Sequence, residues 1–105
     1  MEIQVRARGL PGAAAIRRLA AGRIGDALAE FRDAIDEVAV QLSDINGPQR
    51  GGIDKLCRAV VRFRDCSAIV VEELGQDVAG VIERIAQRLR EHVQRRPRAR
   101  LALSV

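Results

Sequence analysis

The sequence predicts an α+β sandwich in the order β-α-β-β-β-α, with two helices packed on one face of a four-stranded sheet. Two observations support this prediction. The spacing of apolar residues alternates between a period of two, typical of strands, and a period of three to four, typical of helices. Turn-forming residues cluster where the period changes. Because 105 residues can bury one modest core, residues 1–96 are expected to form a single domain.

The first two elements are a strand and a helix. Ile3 and Val5 alternate with polar neighbours, which indicates a half-buried strand, and the segment Leu10-Pro11-Gly12 breaks it. From about residue 12 to 33, apolar side chains recur every three or four positions and predict a helix. Its apolar stripe contains Ile16, Leu19, Ala20, Ile24, Ala27, Leu28 and Phe31.

Three strands are expected next. Residues 38–42 and 57–63 alternate between apolar and polar side chains, and residues 67–71 form a short strand-like run. A long loop covers residues 43–52. The last two strands are joined by a short turn near Arg64, so they should pair as an antiparallel hairpin. The first two strands are joined through a helix and should be parallel neighbours.

The last element is a basic helix. Gly75 provides a break, and Asp77 is placed to cap the helix start. The apolar stripe consists of Val78, Val81, Ile82, Ile85, Leu89 and Val93. Away from it, one line along the helix holds Arg84, Arg88, Glu91 and Arg95. Pro97 should end the helix, and residues 97–105 should be a flexible basic tail.

Positive charge concentrates at this end of the chain. The net charge is +4, and seven arginines against one glutamate follow Glu83. A positively charged rod of this kind favours a polyanion partner, foremost RNA. These arginines are Arg84, Arg88, Arg90, Arg95, Arg96, Arg98 and Arg100. His92 lies at the border of the apolar stripe, where it can either contact a phosphate or complete the packing.

Other classes of function find little support. Cys57 and Cys66 are too few for a disulfide framework and lack a metal-ligand pattern, so both are expected to be buried thiols. No apolar stretch is long enough to span a membrane, and the start lacks the features of a signal peptide. Glu72 and Glu73 are adjacent on a strand and point to opposite faces, which favours a solvated strand end over an acid and base pair. We expect no enzyme activity, metal, cofactor or small-molecule substrate.

The order and spacing of several segments resemble the ribosome hibernation-promoting factors and ribosome-associated inhibitors, also called ribosomal subunit interface or sigma modulation proteins. The similar segments are residues 38–48 (VAVQLSDINGP), 51–57 (GGIDKLC), 75–77 (GQD) and 81–89 (VIERIAQRL). The resemblance implies the same fold and a cytoplasmic bacterial protein of stationary phase. It also implies binding to rRNA of the small ribosomal subunit, in the channel used by messenger and transfer RNA, where the protein blocks translation and preserves idle ribosomes.

The resemblance assigns roles to particular residues. Arg84 stands where the family has a basic residue after an acid, and Arg23 stands near a basic position of the first helix. The implied RNA-binding set is Arg23, Arg84, Arg88, Arg90, His92 and Arg95. The family commonly has a basic residue before Gln where this chain has Gln87 before Arg88, and Glu91 and Val93 replace common basic residues. The long forms of the family carry a further C-terminal domain that dimerises. Since this sequence ends with the basic tail, it resembles a short form.

Two alternatives remain open from the sequence. A generic binding module for structured RNA would use the same basic helix. A protein-interaction module would instead use the outer face of the sheet against an acidic partner, through Arg6, Arg8, Arg58 and Arg62. Aromatic residues are scarce, and because Phe31 and Phe63 are both expected in the core, base stacking on single strands is disfavoured.

Overall fold

The structure is a computed structural model that describes residues 1–45 and 54–96. It confirms the predicted order of elements and the α+β class. The loop predicted over residues 43–52 begins later than expected, because the second strand continues to Asp44. Residues 46–52 of that loop and the predicted tail lie outside the described residues. The elements are β1 (Glu2–Arg8), α1 (Ala13–Leu28), β2 (Ile35–Asp44), β3 (Lys55–Phe63), β4 (Ala68–Gly75) and α2 (Val78–Arg95).

The four strands form one sheet in the order β1-β2-β3-β4. As predicted, β1 runs parallel to β2, and β3 and β4 form an antiparallel hairpin. β2 also pairs antiparallel with β3. One row across the sheet consists of Val5, Val40, Ala59 and Val71. Since side chains alternate between the two faces of a strand, this row lies on the face that both helices cover.

The core lies between the sheet and the two helices. Every second side chain is buried from Val38 to Leu42 in β2 and from Cys57 to Phe63 in β3. The stripe predicted for α2 is also buried, apart from the partly buried Val78. Asp77 caps α2 as predicted, since its Oδ2 accepts a hydrogen bond of 2.9 Å from the Gly80 backbone N–H.

Helix α1 is shorter than predicted. It ends at Leu28 instead of residue 33, and a single 3₁₀ turn, Ala29–Phe31, follows it. The Ala29 backbone N–H donates to Asp26 O, three residues back, which tightens the last turn. Further three-residue turns then lead the chain into β2. Phe31 is consequently only half-buried, which corrects its expected place in the core.

The apolar stripe of α1 is also narrower than predicted. Ala20, Ile24 and Leu28 are fully buried, whereas Leu19 is 43% exposed. The buried residues are spaced four apart and form one row along the helix, and Leu19 lies about a quarter-turn to one side of that row. The helix therefore packs with a narrow row of side chains.

The two cysteines occupy different environments, and the expectation that both thiols are buried was wrong for Cys66. Cys57 is fully buried on the helix side of β3, but Cys66 is exposed in the β3–β4 turn, where its φ is 75°. Six residues of strand lead from Cys57 to Phe63, the last residue of β3, and Cys66 lies in the turn that follows. At the rise of a strand, the two thiols are therefore about 20 Å apart along the hairpin. They therefore do not approach one another.

This difference predicts selective thiol labelling. Burial raises the pKa of the Cys57 thiol from 9.0 to about 12, and the nearby Glu73 carboxylate adds to the shift. We expect a thiol reagent to modify Cys66 rapidly in the folded protein and to reach Cys57 only after unfolding. Mass spectrometry after digestion measures both sites. Equal labelling rates in the folded protein would contradict the burial of Cys57, and denatured protein provides the control in which both sites react.

Candidate nucleic-acid interface

The residues predicted to bind RNA fall in three places on the structure. Arg84 and Arg88 lie over the outer edge of β4, and Arg23 and Arg90 lie where α1 meets α2. His92 and Arg95 lie in the last turns of α2. Helical spacing places Arg84, Arg88 and Arg95 on one flank of α2, on the side of β4. The structure thus separates this flank from the two residues at the helix pair.

Arg84 and Arg88 bind the edge of the sheet in the same way. Arg84 donates to Glu73 Oε1 from Nε at 3.1 Å and to the backbone oxygen of Leu74 from Nη2 at 3.1 Å. Arg88 Nη1 donates to the backbone oxygen of Glu72 at 2.8 Å and also to Glu73 Oε2. Because β4 is an edge strand, these two guanidinium groups satisfy carbonyls that have no neighbouring strand.

Both arginines nevertheless remain accessible to a ligand. Their side chains are 51% and 44% exposed, for Arg84 and Arg88 respectively. Each guanidinium group carries five N–H donors and uses only part of them in these contacts. Gly75 makes the position of Arg84 possible, because a Cβ there would overlap the Arg84 guanidinium and the Val81 side chain. The flank therefore presents two fixed guanidinium groups with free donors.

Glu73 connects the two arginines, and the prediction that it is a solvated strand end was wrong. Its side chain is only 16% exposed and lies on the helix side of the sheet, whereas Glu72 is exposed as predicted. Burial by itself raises the pKa of Glu73. Hydrogen bonds from Arg88 and Arg84 outweigh that effect and hold the pKa below its ordinary 4.5. The carboxylate is therefore charged at neutral pH and fixes both guanidinium groups.

The lowered pKa predicts how Glu73 contributes to stability. A carboxylate with a depressed folded-state pKa stabilises the fold above its ordinary pKa, and the contribution is lost as the pH falls through the lowered value. We expect Glu73→Gln to cost about 1 kcal/mol at neutral pH, because solvent screens the half-exposed guanidinium groups. The cost should disappear well below pH 4.5.

Urea unfolding of both proteins across the acidic range measures this difference. Glu72→Gln is the matched control, since that neighbouring side chain is exposed and makes no ion pair within residues 1–45 and 54–96. A Glu73→Gln cost that did not change with pH would show that the ion pairs contribute nothing to stability.

Arg23 and Arg90 join the two helices. Arg23 pairs with Glu83 through two hydrogen bonds, one of them 2.8 Å between Nη2 and Oε2. Hydrogen bonding to Arg23 lowers the pKa of Glu83. Arg90 pairs with Glu30, and its guanidinium carbon lies 5.9 Å from the centre of the Phe31 ring. These contacts stabilise the packing of α1 on α2, so both residues have a structural role in the free protein.

The last turns of α2 carry two exposed residues of the predicted set, His92 and Arg95. The Arg95 side chain is 75% exposed and lies 3.9 Å from Glu91, one turn earlier. His92 is exposed, which contradicts a role in packing and leaves its proposed phosphate contact as a prediction. Arg96 was not singled out beyond the basic cluster, yet it packs on the Phe63 ring at 3.6 Å and donates to Ser67 Oγ at 2.7 Å. It therefore ties the helix end to the β3–β4 turn.

A second group of arginines makes no ion pair with any acid in the described parts of the chain. Four project from the face of the sheet that the helices leave open, and two lie on α1. They are Arg6, Arg8, Arg58, Arg62, Arg17 and Arg18. The sequence already indicated the four on the sheet. The pair on α1 was not predicted, although the position of these two residues off the apolar stripe could have indicated exposed cations.

No group of three or more His, Cys, Asp or Glu side chains within residues 1–45 and 54–96 is arranged to hold a metal ion. Neither described helix is long and apolar enough to cross a membrane.

Comparison with known proteins supports the fold. No protein-family model matches the chain, and no curated protein matches it significantly. A ribosomal subunit interface protein from Coxiella burnetii is similar in structure, with 20% identity and a TM-score of 0.72, over 90% of this chain and 94% of that chain. The N-terminal domain of Protein Y from Thermus thermophilus shows 21% identity and a TM-score of 0.68, over 90% and 93%. This chain therefore shares its β-α-β-β-β-α fold with both proteins.

Proposed function

We propose that this protein is a ribosome-associated hibernation factor that binds the small ribosomal subunit through rRNA phosphates and inhibits translation. The observation that carries the proposal is the flank of α2 formed by Arg84, Arg88 and Arg95. It presents accessible guanidinium groups on the fold of a ribosomal subunit interface protein. Residues 75–77 and 81–89 resemble segments of the hibernation factors. This resemblance supports α2 as the ribosome-binding element. The proposed role is non-catalytic and cytoplasmic.

The geometry suggests how the flank binds phosphate. Glu73 and the strand carbonyls already fix Arg84 and Arg88, so binding requires little further ordering of these side chains. Two guanidinium groups share one carboxylate, which leaves positive charge for a phosphate. Guanidinium groups suit phosphate because they donate two parallel hydrogen bonds. Arg95 extends the same line toward the helix end.

Arg23 and Arg90 are expected to contribute less to phosphate binding than Arg84 and Arg88. Their side chains are 45% and 42% exposed, respectively, but Arg23 already pairs with Glu83 of α2, and Arg90 pairs with Glu30 in the turn after α1. A phosphate contact would compete with Glu83 or Glu30, so its net gain is smaller than at the β4 side. We therefore propose that these residues lie at the margin of the interface and act mainly by holding α1 against α2.

Sedimentation tests the proposal against binding of RNA in general. Tagged protein in a stationary-phase lysate should migrate with small subunits or whole ribosomes in a sucrose gradient. Purified duplex RNA should compete weakly, whereas a generic RNA-binding module would be displaced by it. Protein found only at the top of the gradient at low salt would refute ribosome association.

The open face of the sheet favours a second candidate function. Arg6, Arg8, Arg58 and Arg62 make no ion pair within the described residues, so an acidic protein could bind them at little electrostatic cost. In that case the complex would survive nuclease treatment, and variants of α2 would bind normally.

A further inference from the structure

The two edges of the sheet differ in how they are protected. At β4, Arg84 and Arg88 donate to the outer carbonyls. At β1, no hydrogen bond from the rest of the described chain reaches the outer edge of the strand. An edge strand with open backbone groups is a template for another strand. The β1 edge is therefore available for strand pairing.

The apolar side of β1 is also incompletely covered. Ile3, Val5 and Ala7 are only half-buried, whereas their partners in β2 are fully or almost fully buried. A shallow groove of about 330 Å³ follows this edge between β1 and α1. Ile3 and Val5 form its floor, and the small side chains of Ala14 and Ala21 lie on its helix side. A second strand beside β1 would bring further apolar side chains onto this floor.

We infer that β1 pairs antiparallel with β1 of a second copy of the chain, about a two-fold axis at Val5. The pairing is self-complementary in charge. It sets Glu2 opposite Arg8 of the other copy and Gln4 opposite Arg6, with both pairs on the open face of the sheet. On the helix face, Ile3 meets Ala7 and Val5 meets its own counterpart. The two four-stranded sheets become one continuous sheet, with the helices of both copies on the same side.

The sequence of β1 selects this register. It is the alignment in which all residues of Glu2–Arg8 have a partner. A shift of two positions in one direction places Arg6 opposite Arg6, and the shift in the other direction leaves Arg8 without a partner. A shift of one residue would place side chains from the helix face of one copy beside side chains from the open face of the other. Glu2 also lies beside Glu37 in β2, so a cation from the second copy relieves that repulsion.

The two α1 helices leave room for β1 to pair with its counterpart, but charges on them weaken the dimer. α1 lies over β1, and the two α1 helices would face each other through Ala14 and Ala21, whose small side chains allow close packing. Arg17 and Arg18 stand in the same groove and bring like charges toward the axis. The association should therefore be reversible and dependent on concentration.

Sedimentation equilibrium of the purified full chain, from micromolar to near-millimolar concentration, tests the inference without RNA. We expect the wild type to show a monomer and dimer equilibrium. Glu2→Arg and Arg8→Glu should each weaken the dimer roughly tenfold or more, because both symmetric charge pairs become repulsive. An equimolar mixture of the two variants should form a heterodimer, since each then supplies the charges that the other needs. The double variant should dimerise within about tenfold of the wild type.

Circular dichroism should confirm that each variant is folded. Glu72→Arg is the matched control, because it reverses a charge on the same open face at β4, the strand farthest from β1, and should leave dimerisation unchanged. Gln4→Lys provides an independent variant, since it places a cation opposite Arg6 and should weaken the dimer. A wild type that stayed monomeric throughout, or a mixture of the two variants that failed to associate, would overturn the inference.

Discussion

Removing the guanidinium groups of Arg84 and Arg88 is expected to lower affinity for small ribosomal subunits by roughly two orders of magnitude, at about 1 to 3 kcal/mol per charge-assisted hydrogen bond. Reversing both charges would be a poor experiment, because it would place two new carboxylates against Glu73. Arg84→Gln and Arg88→Gln should be combined with Glu73→Gln, so that no buried carboxylate remains unpaired. The slope of binding against salt should also fall by about one for each phosphate that the variant no longer binds.

A control on the open face separates the flank of α2 from total charge, because it lowers the net charge by two, whereas the α2 variant with Glu73→Gln lowers it by one. Arg58→Gln with Arg62→Gln removes the same number of arginines from the open face, where neither makes an ion pair with the described residues. We expect this control to bind within about threefold of the wild type. Deletion of residues 98–105 should also cost less than the α2 variant, because the proposal places the phosphate contacts on the flank of α2. Normal binding by the folded α2 variant, together with weak binding by either control, would refute the helix-flank mechanism.

Two leucines of α1 should differ strongly in their contribution to stability. Leu28 is fully buried, and Leu28→Ala should lower the free energy of unfolding by about 2 to 5 kcal/mol. Leu19 belongs to the same predicted stripe but is 43% exposed, and Leu19→Ala should change it by less than about 1 kcal/mol. Urea unfolding of the two variants measures the difference. Equal destabilisation by the two variants would mean that Leu19 is buried as fully as Leu28, as the sequence predicts and contrary to the structure.

These leucines illustrate which parts of the fold could be predicted. α2 followed from the sequence because its apolar stripe is regular and Asp77 marks its start. The end of α1 did not, because the apolar spacing continues through Phe31 while the backbone tightens after Leu28. Local periodicity reports which residues could share a helical face, but the neighbouring elements decide how much of that face is buried.

The candidate site was predictable only in part. The basic line on α2 is visible in the sequence, since its members are three or four residues apart. The ion pairs that fix those arginines are not, because Glu73 lies 11 residues before Arg84, and Glu83 lies 60 residues after Arg23. Cys66 was misplaced for a related reason, since its exposure depends on a turn with positive φ. The ion pairs arise from the topology of the sheet and the packing of the helices, which residues close in sequence do not reveal.

The most direct test of the central claim is a cryo-electron microscopy structure of the protein bound to small ribosomal subunits. The proposal predicts that α2 faces rRNA in the channel used by messenger and transfer RNA, with Arg84, Arg88 and Arg95 in contact with phosphates. Glu73 should still hold the first two arginines in the complex. A bound protein whose open sheet face met the ribosome, with α2 turned toward solvent, would contradict the claim.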